Sequence, residues 1–139
     1  MITEDYVSYE TAKLLKENLF DEKCHMCWDE VTKTMEIADE YATNSELLAT
    51  YISAPTLQMT MKWLREVHNI NISVVPHSYK EGKPFDYEFV YWNGVKYHTP
   101  YDEKHPIYHE LFGRTWKKYE EACEAGIRYC LENLIFRYE

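Results

Sequence analysis

Cys24 and Cys27, two cysteines separated by two residues, are the first feature of this sequence whose type and spacing could do chemistry. That spacing supplies half of a tetrahedral zinc site or a dithiol redox pair. Zinc needs further ligands at suitable spacing, and the imidazoles on offer are His98, His105 and His109. Pro106 stands between the last two and breaks a regular helix that would present both. A strand through Cys24–Trp28 also sends the two thiols to opposite faces of a sheet, which does not suit shared coordination. Redox work asks for a pair that opens a helix in a βαβ unit, where the helix dipole lowers the thiol pKa; no such unit surrounds these residues. Packed or exposed thiols are therefore the leading expectation. A small metal protein or enzyme using Cys24/Cys27 with His98, His105 and His109 is the alternative.

Other routes to catalysis are thinly supplied. The six histidines are scattered, with no Ser-His-Asp motif and no HExxH segment. Four glycines in 139 residues leave no glycine-rich loop to cradle a phosphate. Cys123 and Cys130 lie two turns apart on the apolar side of a predicted helix, where a free cysteine acts as a small hydrophobe. The sequence assigns no catalytic residue, no metal ligand set and no cofactor.

Charge is more informative. The net charge is −9, and residues 1–53 hold 4 Lys/Arg against 12 Asp/Glu, giving −8, whereas residues 54–139 hold 11 against 12. An acidic half repels phosphate backbones, so the counterion release that drives nucleic-acid binding is missing there. Two readings stand: a solvated acidic face, or an acidic surface that occupies a basic site on another protein. Glu10, Glu17, Asp21 and Glu22 are the candidate contacts of the second. With no signal peptide, no apolar run of membrane-spanning length and four sparse cysteines, a cytoplasmic location with free thiols is expected.

The positioning elements follow from periodicity and punctuation. Ser8 caps a helix to about Asn18, with Tyr9, Ala12, Leu15 and Leu19 at helical spacing and a Val7/Ala12 staple. Cys24–Trp28 reads as a strand, and about Thr34–Ala38 as its return partner. Ser53-Ala54-Pro55-Thr56 starts a second helix, with proline in the first turn and a stripe of Leu57, Met61, Leu64 and Val67 ending near His68-Asn69. Ile70, Ile72 and Val74 then alternate as a strand that Pro76 stops. Phe85–His98 reads as a hairpin turning at Asn93-Gly94 in a type I′ turn, with Trp92 opposite Val95. A last helix, about Lys117–Leu134, carries Tyr119, Ala122, Cys123, Gly126, Ile127, Cys130, Leu131 and Leu134 on one face. Gly126 inside it predicts a close approach to the sheet. The order α-β-β-α-β-β-β-α gives one α+β domain over residues 1–139, an antiparallel sheet with helices packed on one face.

The hairpin has two faces, and only one can be core. One carries Asp86, Glu88, Val90, Trp92, Val95 and Tyr97; the other carries Phe85, Tyr87, Phe89, Tyr91, Lys96 and His98. Rings beside polar groups make a contact surface if left open, so Tyr87, Phe89, Tyr91, Lys96 and His98 are the candidate residues for a protein partner or a homodimer. The competing reading covers that face with the segment Tyr101–Phe112. Helix, three strands, helix is also the element order of a double-stranded-RNA-binding domain, although a near-neutral half lacks the cations such a module needs.

Three stretches carry a resemblance: Val7-Ser8-Tyr9-Glu10-Thr11-Ala12-Lys13-Leu14-Leu15-Lys16, Ile52-Ser53-Ala54-Pro55-Thr56-Leu57-Gln58-Met59 through Trp63-Leu64-Arg65-Glu66, and Tyr119-Glu120-Glu121-Ala122 through Leu134. Together they resemble a group of small proteins of gut bacteria and their phages or prophages with no assigned function. The resemblance implies a mobile-element accessory protein and carries over no activity, cofactor or site residue. A non-enzymatic interaction protein that binds another protein, through the aromatic hairpin face, the acidic N-terminal half or both, is the leading expectation.

Overall fold

Ser8 starts the first helix. Its Oγ accepts a hydrogen bond from Thr11 N at 3.2 Å, so α1 (Tyr9–Glu17) begins with one of its orphan donors satisfied. The computed structural model describes residues 1–76, 82–92, 97–98 and 115–135, with the backbone alone at Asp39, Glu40, Trp92, Tyr97 and His98. Val7, Ala12 and Leu15 are fully buried, as a stapled amphipathic helix requires. Leu19 departs from the expected stripe: it lies beyond the helix with φ 67° and is 85% exposed. Phe20 takes the core position instead, its N donating to Leu15 O at 2.9 Å while Leu19 N donates to Lys16 O at 3.1 Å. This is a Schellman closure with leucine where glycine is usual.

Two compact units divide the chain, Met1–Thr60 and Met61–Glu139. In the first, β1 (Cys24–Asp29) lies between β2 (Met35–Ala42) and β3 (Tyr51–Ser53), antiparallel to both. Asp29 Oδ1 accepts from Val31 N at 2.8 Å and Thr32 N at 3.3 Å, which folds the β1–β2 turn. The return strand is longer than the sequence predicts and is irregular: Cys24 faces Ala42 and Met26 faces Ile37, so Ala38–Tyr41 is extra length opposite His25. Trp28 Nε1 donates to Val7 O at 3.1 Å, and its ring meets Tyr9 edge-on at 6.3 Å, which joins this sheet to α1.

Pro55 does not enter the next helix. Thr56 caps α2 (Leu57–His68), its Oγ1 accepting from Met59 N at 3.1 Å, and Pro55 O accepts from Val7 N at 3.0 Å. The buried stripe is Leu57, Thr60, Met61 and Leu64, whereas Val67 is 53% exposed. Thr60 belongs to that stripe because its hydroxyl donates to Thr56 O at 2.8 Å and so needs no water. Asn69 ends the helix with φ 55°, a conformation asparagine tolerates.

The second unit holds β4 (Ile70–Pro76), β5 (Phe85–Trp92), β6 (Tyr97–His98) and α3 (Tyr119–Asn133), with the strands antiparallel in the order β4-β5-β6. Tyr91 pairs with His98 and Trp92 with Tyr97, so the hairpin closes two residues later than a turn with Trp92 opposite Val95. The Asn93-Gly94 turn itself lies outside the described residues, as does the expected cover, Tyr101–Phe112. The fold is thus α+β with antiparallel pairing, and among the described residues the strands form two three-stranded sheets rather than one.

Tyr87 and Phe89 are buried, with Ile70 and Ile72 beside them, and the seven-residue stripe Ala122, Cys123, Gly126, Ile127, Cys130, Leu131 and Leu134 of α3 is buried too. Gly126 makes that contact close, since a Cβ there would lie 3.1 Å from Tyr87 Cγ and 3.3 Å from Ile72 Cγ2. Phe89 stacks on Tyr129 with ring centroids 5.3 Å apart. Trp116 and Phe85 exchange backbone hydrogen bonds, and the Trp116 ring lies 5.1 Å from that of Tyr87.

Leu19→Gly is expected to raise stability by about 1 kcal/mol, because the left-handed conformation costs a branched side chain that much and Leu19 packs against little; thermal unfolding measures it. Gly126→Val is expected to lower stability by about 2 kcal/mol or more, because its methyls must displace Tyr87 or Ile72; chemical denaturation reads the loss.

Candidate functional site

After β2 the chain makes a single helical turn that caps itself. Glu46 N donates to Thr43 Oγ1 at 3.3 Å, Thr43 N donates to Glu46 Oε1 at 3.2 Å, and Leu47 N donates to Thr43 O at 3.1 Å. Two neighbours fix this turn in place. The Asp21 carboxylate accepts from Ser45 N at 2.8 Å and Ser45 Oγ at 2.7 Å. Asn44 reaches both ways, its Nδ2 donating to Phe20 O at 2.8 Å and its Oδ1 accepting from Ser53 N at 2.8 Å. The chain then passes Leu48 into β3, with Tyr51 N donating to Leu48 O at 2.9 Å.

Between this turn and the sheet lies an open groove of about 460 Å³, within the size range of ligand and anchor pockets. Its deep residues are small, Cys27 and Ala42, both buried. Ala38, Leu47 and Tyr51 line it at intermediate exposure. Ile37 and Leu48 also line it, yet they are 76% and 74% exposed, which places large apolar side chains at its mouth. Glu36 and Glu46 add two exposed carboxylates.

Electrostatics keep that mouth negative. The Thr43 hydroxyl and backbone hold the Glu46 carboxyl below its ordinary range; Lys23 adds to this and Asp21 opposes it. Hydrogen bonds from the Ser45 hydroxyl and amide do the same for Asp21. The arrangement can bind an apolar group with a cation beside it.

The sequence-predicted contacts separate sharply. Glu10, Glu17 and Glu22 are exposed in the first unit, and Asp21 is exposed but engaged with Ser45. On the hairpin, Tyr87 and Phe89 are 5% and 1% exposed, so the structure overturns their assignment to a contact surface. The aromatic side of β5 is the one that a sheet of three strands must bury, and α3 packs against β4 and β5. Tyr91 is half-buried, and burial pushes its hydroxyl pKa up. The opposite face keeps Asp86 and Glu88 half-buried and Val90 exposed. His98 is described by its backbone alone, and Lys96, His105 and His109 lie outside the described residues.

All four cysteines are buried, and none is in a disulfide. Burial pushes the Cys24 thiol up to about 12, partly offset by the Ser53 hydroxyl, and pushes the Cys130 thiol up as well. A thiol held protonated is a poor nucleophile. Among the described residues, no three His, Cys, Asp or Glu side chains are grouped as a metal site requires, and no helix is long and apolar enough to cross a membrane.

Sequence reasoning missed Ile37, Asn44, Glu46, Leu48 and Tyr51. One signal was available: Thr43-x-x-Glu46 ahead of Leu47-Leu48 is a capping-box pattern. No family model, curated protein or solved structure matches the chain.

Because its folded pKa is depressed, the Asp21 clamp contributes fully above the ordinary aspartate value and is lost as pH falls through the folded one. Exchange of the Ser45 amide is expected to quicken over that acid range, and in Asp21→Ala to be fast at every pH; hydrogen exchange by NMR checks both.

Proposed function

We propose that the protein is a non-enzymatic, cytoplasmic binding protein that engages a protein partner through its acidic unit, Met1–Thr60. One observation carries this reading: the unit that holds −8 of the net charge also holds an open groove lined by both apolar and polar groups, with the carboxylates of Glu36 and Glu46 among them. Charge of one sign steers a partner of the other and sets its orientation, while apolar contact supplies the residence time. Burial of Tyr87 and Phe89 removes the hairpin's main rings from contact and leaves the acidic unit as the surface to test. The protected thiols favour binding over thiol chemistry. An accessory role in a phage or prophage is compatible with this reading and is part of the proposal.

The test is affinity capture from host lysate with the intact protein and with a Glu10→Lys, Glu17→Lys, Glu22→Lys variant. These three side chains are exposed, and the circular dichroism spectrum and melting temperature of the variant check that it is folded. The expected outcome is one discrete partner recovered by the wild type, weakened by added salt and reduced about tenfold in the variant. Equal recovery by both proteins would sink the reading. Retention of RNA at low salt, in place of a protein, would favour an RNA-binding role for the order α2-β4-β5-β6-α3.

A further inference from the structure

We infer that the groove beside β2 receives one large aliphatic or aromatic side chain of a partner's segment, with Lys or Arg flanking that side chain. This rests on the reading that Met1–Thr60 is the binding unit, and it specifies what that unit recognises.

Ile37 and Leu48 are the starting point. Side chains of this size, 76% and 74% exposed and lining one groove, lose favourable burial until something covers them. Cys27 and Ala42, the buried residues of the same lining, are small, and a volume of about 460 Å³ leaves room for an inserted side chain. The wall is set in advance: Asp21 and Asn44 hold the 43–47 turn from two sides, and the Thr43/Glu46 cap holds it from within. A pre-formed pocket loses little ordering free energy when it is filled.

Charge decides between occupants. Glu36 and Glu46 stand in the groove, Lys23 and Asp21 both act on Glu46, and the unit as a whole carries −8. An anionic ligand is repelled. A second copy would set one acidic unit against another, and like charges juxtaposed across an interface are costly. Addition of a strand is disfavoured too, because β2 is irregular between Ile37 and Ala42 and offers no continuous ladder. An apolar side chain flanked by cations satisfies both the lips and the carboxylates.

The experiment measures fluorescence anisotropy of the full chain with three labelled synthetic peptides. One interleaves Leu and Phe with Lys and Arg, one keeps the cations but replaces the apolar residues by Ser, and one keeps the apolar residues but replaces the cations by Glu. The first is expected to bind about tenfold more tightly than the second, and the third not at all. Ile37→Ser with Leu48→Ser, both at exposed positions, should bring the first peptide down to the level of the second without changing the melting temperature. Glu36→Gln should weaken the first peptide and flatten its salt dependence. Equal binding of the first two peptides, unaltered by the Ile37/Leu48 variant, overturns the groove and leaves the acidic-unit reading standing. Concentration-dependent dimers that the Ile37/Leu48 variant abolishes would overturn it in favour of a second copy. Failure of every peptide overturns it as well, and the charge-reversal capture then decides separately whether the acidic unit binds anything.

Discussion

The side chain of Asn44 closes the first unit. A strand as short as β3 has few ladder hydrogen bonds of its own, and three residues do not hold themselves against β1. Asn44 supplies the missing constraint by donating to the carbonyl of Phe20, just past the end of α1, and accepting from the amide of Ser53 in β3. One half-buried amide therefore ties the end of a helix, the turn after β2 and the third strand to each other. Each of its two bonds takes up a backbone group that would otherwise seek water. The groove follows from the same bonds, because the turn they fix is its wall.

The second unit depends on packing rather than on a polar tie. β5 offers Tyr87 and Phe89 on one side and Asp86, Glu88 and Val90 on the other, and burial of the ringed side releases far more apolar surface from water. Gly126 lets α3 approach these rings, at the cost of helix propensity, with Tyr87 and Ile72 filling the space a side chain would take. This contact buries Tyr87 and Phe89 of the aromatic face. The thiols of Cys123 and Cys130 follow the same logic, being buried on the apolar stripe of the helix.

Much of the fold was legible because local rules set it. Ser8 at the head of α1, the alternation Ile70/Ile72/Val74, and the stripe from Ala122 to Leu134 each state a period and a boundary within a few residues. Spacing alone misleads where a hydrogen bond within the helix or at its end changes a residue's role. A threonine looks polar until its hydroxyl is seen to bond Thr56 O, so spacing favours Val67 where Thr60 is the buried residue. Spacing also puts Leu19 on the helix stripe, whereas the Schellman closure turns it out and brings Phe20 in. The acidic character of the candidate site was readable from residues 1–53, but its groove was not: Cys27, Ile37, Ala42 and Leu48 are spread over more than twenty positions and meet only through the β1–β2 register and the Asn44 tie.

The sequence by itself determined the helices, the antiparallel character of the strands, the sidedness of the hairpin and the charge asymmetry, since all of these follow from spacing, capping and composition along neighbouring residues. Tertiary structure alone decided which hairpin face is buried, because both faces are plausible until α3 packs against β4 and β5. It also decided that the described strands form two sheets, that β2 carries extra residues opposite His25, and that Ile37 and Leu48 line one groove. Such outcomes are set by hydrogen bonds and contacts between residues far apart in the chain, whose free energies no local pattern records.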